Sequence, residues 1–210
     1  MIRVLIAENA EPWGHFTAAV SRGLPADLVK RAQQYRRWQD AQAFLIGKLL
    51  LRKGLIELGF HERILEEIRY TEFGRPYLHA GVDFNISHAG RFVVAVFSAN
   101  ARIGVDIEAV NEVRLEDFTS CFTGRELERL SVSPRFLFDF FTIWTIKEAV
   151  IKADGRGLQV PLHQFDAAGT IVLAGNVWHL HPLTVPAGYV SYLATDQHTD
   201  ISIVQDVVEF

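Results

Sequence analysis

The sequence predicts an α/β (α+β) fold of two similar α/β subdomains in a pseudo-two-fold arrangement, each a small sheet with a long helix packed on it. The order helix then strands occurs twice, with helical patterns at 26–58 and 136–153 and strand-like runs after each. At 210 residues the chain exceeds the prior of about 150 for one domain but falls short of two, which suits two small halves sharing a core. No low-complexity linker intervenes, so the halves, residues 1–105 and 106–210, are expected to meet closely, although no residue-level repeat relates them.

Met1 to Ala7 reads as an opening strand; Arg3 and Glu8 interrupt it too soon for a signal-peptide core, and no cleavage site is obvious. From Ala26 to Leu58, apolar residues such as Trp38, Leu45, Leu49 and Leu55 recur at helical spacing and Gly59 supplies a stop, which predicts one or two helices. Ile68–Phe73 is a strand candidate, followed by a turn at Gly74 and Pro76, and then by strands at Val82–Ile86, Phe92–Phe97 and Ile103–Ile107. The charged stretch Asn111–Pro134 predicts loop and short helix. Phe136–Ala153 is the second long helix, closed by Gly155 and Gly157, and Phe165–Phe210 reads as several strands between Gly, Asn and Pro turns.

A hydrophobic share of 49% excludes disorder, since it provides enough apolar surface for a sizeable core. The net charge of −4 argues against coating nucleic acid or an anionic membrane, so an anionic ligand must be held by a local cluster. The longest apolar run, Phe44–Leu51, carries Lys48 and is far shorter than the roughly 18 residues of a membrane span. A soluble, cytoplasmic protein is expected. The single cysteine, Cys121, permits no internal disulfide, fits a reducing compartment, and is read as a small buried side chain.

Several short segments carry residues suited to chemistry. In Gly104-Val105-Asp106-Ile107-Glu108, strand alternation points Asp106 and Glu108 the same way while Val105 and Ile107 face the core. Two adjacent carboxylates suit a hard cation, Mg²⁺ or Mn²⁺, or are a solvated strand end. Glu148 and Lys152 share a helical face with Trp144, as a functional pair or an ordinary surface ion pair. Ser87 and His88 end a strand beside Gly90, either against phosphate oxygens or as a capped strand end. Arg75 stands on the turn after Gly74, with a guanidinium able to grip phosphate or simply exposed. Lys30, Arg31, Arg36 and Arg37 form a basic cluster or a solvated helix face.

Read together, Gly-Arg-Pro-Tyr-Leu (74–78), Phe-Asn-Ile-Ser-His (84–88), Gly-Val-Asp-Ile-Glu (104–108) and Trp-Thr-Ile-Lys-Glu-Ala-Val-Ile-Lys-Ala-Asp-Gly-Arg-Gly-Leu (144–158) resemble the signatures of the Sfp-type 4'-phosphopantetheinyl transferases. The resemblance spans about residues 28 to 165 and implies a monomer with coenzyme A and Mg²⁺ in the cleft between its halves. By that resemblance residues 1–105 hold coenzyme A, and 106–210 carry the metal site and catalytic helix.

The resemblance further implies that Asp106, Glu108 and Glu148 ligate the metal and that Lys152 contacts the phosphate undergoing substitution. Ser87 and His88 fall on positions that contact coenzyme A phosphates, Arg75 on the basic turn residue near the adenine and its phosphate, and Arg37 or Arg31 supplies a further cation. The chain departs from the pattern at Ala43 and Lys48, where many members carry an arginine or histidine and an arginine. The implied reaction moves 4'-phosphopantetheine from coenzyme A to a serine of an apo acyl- or peptidyl-carrier protein and releases 3',5'-ADP. Asp106, Glu148 and Lys152 are the implied catalytic residues, with Glu148, or a metal-bound water, taking the serine proton.

Arg114, Arg125, Arg129 and Arg135 either steer an acidic carrier or, with the interleaved Glu112, Glu116, Asp117, Glu126 and Glu128, form a salt-bridged surface. His163, His179 and His181 lack metal-ligand spacing. Carriers of fatty-acid, polyketide and non-ribosomal peptide synthesis all remain open as substrates.

Overall fold

The protein is described by a computed structural model covering residues 1–10, 23–198 and 202–209. In β1 (Ile2–Glu8), Ile2, Val4 and Ile6 alternate with Leu5 and Ala7, and both sets are buried. A strand apolar on both faces must be central. It pairs antiparallel with β5 (Phe92–Ser98) and parallel with β10 (Ile203–Val208); β5 also pairs with β4 (Asp83–Ala89), giving the order β10-β1-β5-β4.

The helical pattern of 26–58 resolves into α1 (Ala26–Ala32) and α2 (Trp38–Glu57). Leu45, Leu50 and Leu55 of α2 pack against Leu5, Phe84 and Phe97 of this sheet. Gly54 permits the approach, since a Cβ there would lie 2.4 Å from the Phe97 ring. The strand expected over 68–73 shrinks to β2 (Arg69–Tyr70), paired with β3 (Pro76–Tyr77). The chain turns immediately afterwards, with the Gly74 amide donating to the Thr71 carbonyl, and the exposed β2 residues offer no core face that would extend the ladder.

The second sheet is ordered β6-β9-β8-β7, from β6 (Ile103–Ala109), β7 (Ile171–Leu173), β8 (Asn176–Pro182) and β9 (Tyr189–Thr195). The stretch after β6 contains a 3-10 helix, Leu115–Cys121, and α3 (Gly124–Ser131), as its mixed composition predicts. α4 (Phe136–Asp154) packs Ile146, Ala149 and Val150 over this sheet with Trp178 and Ala194, and ends at Gly155, whose φ of 90° terminates the helix.

A third core lies between the sheets, where Ile2, Val4, Ile6, Val94 and Val96 meet Ile103, Val105, Ile107 and Leu193. Each such side chain contributes roughly 1.5–3 kcal/mol by burial. Among the described residues the edge of β6 away from β9 has no strand partner, and β4 satisfies it with side chains: Asp83 accepts from the Ile103 amide at 2.8 Å and Asn85 from the Val105 amide at 3.0 Å. The 105/106 boundary falls inside β6, and β10, from the second half of the sequence, completes the first sheet. Among the described residues no helix is long and apolar enough to cross a membrane.

Candidate active site

Gly104, Asp106 and Glu108 share the face of β6 turned to α4, opposite the core face of Ile103, Val105 and Ile107. A Cβ at Gly104 would stand 2.2 Å from the Ala149 carbonyl oxygen and 2.3 Å from the Ala153 amide nitrogen, so only glycine lets α4 lie this close. The closeness lets the stripe Trp144, Glu148, Lys152 reach the β6 acids. Trp144 Nε1 donates to Glu108 Oε1 at 3.2 Å, and Lys152 Nζ donates to Asp106 Oδ1 at 2.6 Å. The eight residues from Trp144 to Lys152 rise about 12 Å along α4, whereas Asp106 and Glu108 stand about 7 Å apart along the antiparallel β6, so the two long helix side chains converge on the acids.

Ser87, carried on β4 on the same side as Asp83 and Asn85, completes the arrangement. Its hydroxyl donates to Asp106 Oδ1 at 2.8 Å and accepts from Lys152 Nζ at 3.0 Å. Asp106 is 3% exposed, and its Oδ2 is buried with no hydrogen-bond partner among the described residues. Burial and then the Asp106 charge push the Glu108 carboxyl up to about 7, against opposing effects of Lys152 and the Trp144 hydrogen bond. Glu148 is also raised, mainly by burial, with Asp106 adding to the rise and Lys152 opposing it.

As the side chains stand, no group of three His, Cys, Asp or Glu among the described residues converges to hold a metal ion. The chemistry of the set nevertheless fits a hard cation: an orphaned buried carboxylate oxygen beside two acids that resist ionisation lacks positive charge. Lys152 supplies part of that charge and keeps 28% of its side chain exposed, within reach of a ligand.

Alternation along β4 sends His88 to the other side from Ser87, so the two do not act as a pair. His88 lines a cavity of about 450 Å³ with Arg37, Asp40, Asn9 and Arg91. Burial and the Lys152 charge lower the His88 pKa, opposed by Asp40 and Asp106. Arg37 reaches this cavity from the N-cap of α2, and Ala43 lines the same wall. Arg31 and Lys48 instead lie over the Phe44 ring, at 5.3 and 5.4 Å from its centroid. Burial, then Arg31, lowers the Lys48 pKa.

Arg75 is directed inward, with hydrogen bonds to Asp83, the Ile103 carbonyl and the Lys152 carbonyl. Arg114, Arg129 and Arg135 lie in exposed ion pairs with Asp117, Asp166 and Asp139. The surface reading of Glu126 is corrected: it is fully buried and pairs with the equally buried Lys147 at 2.9 Å. Lys147 also donates to the Leu162 and Phe165 carbonyls at 2.7 and 2.6 Å, while Glu126 accepts from the Thr123 and Ala167 amides. Thr123-x-x-Glu126 is a capping box legible in the sequence, and Lys147 falls on the apolar 143–146–150 stripe of α4.

A family profile described as "4'-phosphopantetheinyl transferase superfamily" matches residues 102–202, and one described as "4'-phosphopantetheinyl transferase, N-terminal" matches residues 10–100. Together they run through both halves, and the chain belongs to the 4'-phosphopantetheinyl transferase superfamily, of the Sfp-like kind.

It is similar to the 4'-phosphopantetheinyl transferase gsp of Aneurinibacillus migulanus, 35% identical over 150 residues that span 68% of this chain and 62% of that protein. The 4'-phosphopantetheinyl transferase Sfp of Bacillus subtilis (strain 168) is 30% identical over 142 residues, 65% of this chain and 62% of its own. The L-aminoadipate-semialdehyde dehydrogenase-phosphopantetheinyl transferase of Schizosaccharomyces pombe is 28% identical over 216 positions, with 84% of both chains covered. The chain thus spans less than two thirds of the length of these two bacterial relatives.

Proposed function

We propose that this protein transfers the 4'-phosphopantetheine group of coenzyme A to a serine of an apo acyl- or peptidyl-carrier protein, as a cytoplasmic monomer, with residues 1–105 contributing the coenzyme A contacts and 106–210 the acids and the catalytic helix. The observation that carries the reading is Asp106. One of its oxygens accepts from Lys152 and Ser87, the other is buried without a partner among the described residues, and its charge raises both neighbouring acids.

Asp106, Glu108 and Glu148 would hold Mg²⁺, or Mn²⁺ in its place. When bound, the ion supplies positive charge against the diphosphate of coenzyme A as negative charge builds there. Lys152, already oriented by Asp106 and Ser87, contacts the phosphate under attack and stabilises its developing charge. Ser87 on one side of β4 and His88 and Arg37 at the neighbouring cavity bind the remaining phosphate oxygens. Arg75 belongs to this set only by position, since its hydrogen bonds go to protein groups.

The carrier serine oxygen forms a bond to the β-phosphorus of coenzyme A, the bond from that phosphorus to 3',5'-ADP breaks, and 3',5'-ADP leaves. Glu148 takes the serine proton, a role supported by the upward shift that burial gives its carboxyl. Incubation with apo carrier protein, coenzyme A and Mg²⁺ is expected to add one phosphopantetheine mass to the carrier. No mass gain across fatty-acid, polyketide and peptide carriers would overturn the reading.

A further inference from the structure

Arg75 leaves its turn and runs into the seam between the halves, where its side chain is 10% exposed. Its Nε donates to the Lys152 carbonyl at 2.9 Å, and one terminal nitrogen donates to the Ile103 carbonyl at 2.9 Å. The two terminal nitrogens together grip the carboxylate oxygens of Asp83 at 2.8 and 2.9 Å. Asp83 in turn accepts from the Ile103 amide at 2.8 Å. One guanidinium therefore ties β4 to the first residue of β6 and to the last turn of α4.

The carbonyls of that last turn lack intrahelical partners, and a cation there also opposes the negative end of the helix dipole. The residue whose carbonyl is held is Lys152, whose ammonium stands 2.6 Å from Asp106. Gly155 makes room for the contact, because a Cβ there would lie 2.8 Å from Arg75 Cδ.

We infer that Arg75, together with Asp83, is a positioning residue that fixes the backbone of Lys152 against β6 and thereby sets where the Lys152 ammonium stands. It acts through α4 and not on a ligand phosphate. The inference rests on the transferase reading, in which that ammonium meets the reacting phosphate. A planar fork is required: a lysine at position 75 keeps the charge, but one ammonium on a flexible stem does not reproduce the bidentate grip on Asp83 together with both carbonyl contacts.

Arg75→Lys, Asp83→Asn and the double variant are compared with the unaltered protein in transfer kinetics at varied coenzyme A, with amide hydrogen exchange followed over residues 150–157. Each single variant is expected to lower kcat about tenfold or more, leave KM for coenzyme A within about threefold, and speed exchange in the last turn of α4. The double variant should be little worse than either single one, because both break one clamp. Arg75→Lys with unchanged kcat, a raised KM for coenzyme A at constant kcat, additive losses, or unchanged exchange each overturn the inference. Absence of transfer by the unaltered protein instead overturns the functional reading, and the exchange measurement still decides whether the clamp holds α4.

Discussion

Replacing Gly104 by alanine puts a Cβ 2.2 Å from the Ala149 carbonyl oxygen and 2.3 Å from the Ala153 amide nitrogen. Both obstacles are helix backbone and cannot rotate aside, so α4 must retreat by roughly 1 Å before ordinary contact distances of about 3.5 Å return. The 2.6 Å Lys152–Asp106 contact spans that gap and is the first to stretch. Overpacking of this kind costs about 1–3 kcal/mol, and misplacement of a reacting group by about 1 Å costs on the order of 100-fold in rate. Gly54→Ala is the control, since its Cβ would meet the Phe97 ring at 2.4 Å on the face of the first sheet packed by α2. Urea unfolding and transfer rates per folded molecule are measured on both variants. Both should lose comparable stability, and only Gly104→Ala should lose about 100-fold in transfer rate. Unaltered transfer by Gly104→Ala, or an equal loss in Gly54→Ala, would refute the argument that this close approach sets the site.

Lys147→Met leaves the Glu126 carboxylate buried without its cation and is expected to destabilise the fold by about 3–5 kcal/mol in urea. A loss below about 1 kcal/mol would contradict the buried-pair reading. Glu108 titrates near its ordinary 4.5 when unfolded and at about 7 when folded, so the folded state holds the proton more tightly. Its contribution to stability therefore falls as pH rises through that window, and the melting temperature without divalent ions should drop from pH 5 to pH 8 more steeply in the unaltered protein than in Glu108→Gln. Identical slopes would contradict the shift.

Periodicity made most of the fold legible: the strands on either side of residue 105 and both long helices follow from apolar spacing alone. Strand alternation also placed Asp106 and Glu108 on one face, and helical spacing placed Trp144, Glu148 and Lys152 on another. That these two faces meet was legible only through the family resemblance, because the contact depends on Gly104, which looks like any strand glycine in one dimension. Arg75 illustrates the converse. A turn arginine reads as exposed, yet it is drawn inward by Asp83 and two carbonyls that no local pattern brings together. Glu126 sits among surface charges in the sequence because its partner Lys147 is 21 positions away, and the pairing of β10 with the first sheet leaves no periodic signal.

The most direct measurement is the mass of an apo carrier protein after incubation with coenzyme A and Mg²⁺, using the unaltered chain and Glu148→Gln side by side. The unaltered chain should add one phosphopantetheine per carrier, and Glu148→Gln should slow that addition by about 100-fold or more. Equal modification by both proteins, or none by either, would contradict the assignment of this acid and lysine cluster as the reacting centre.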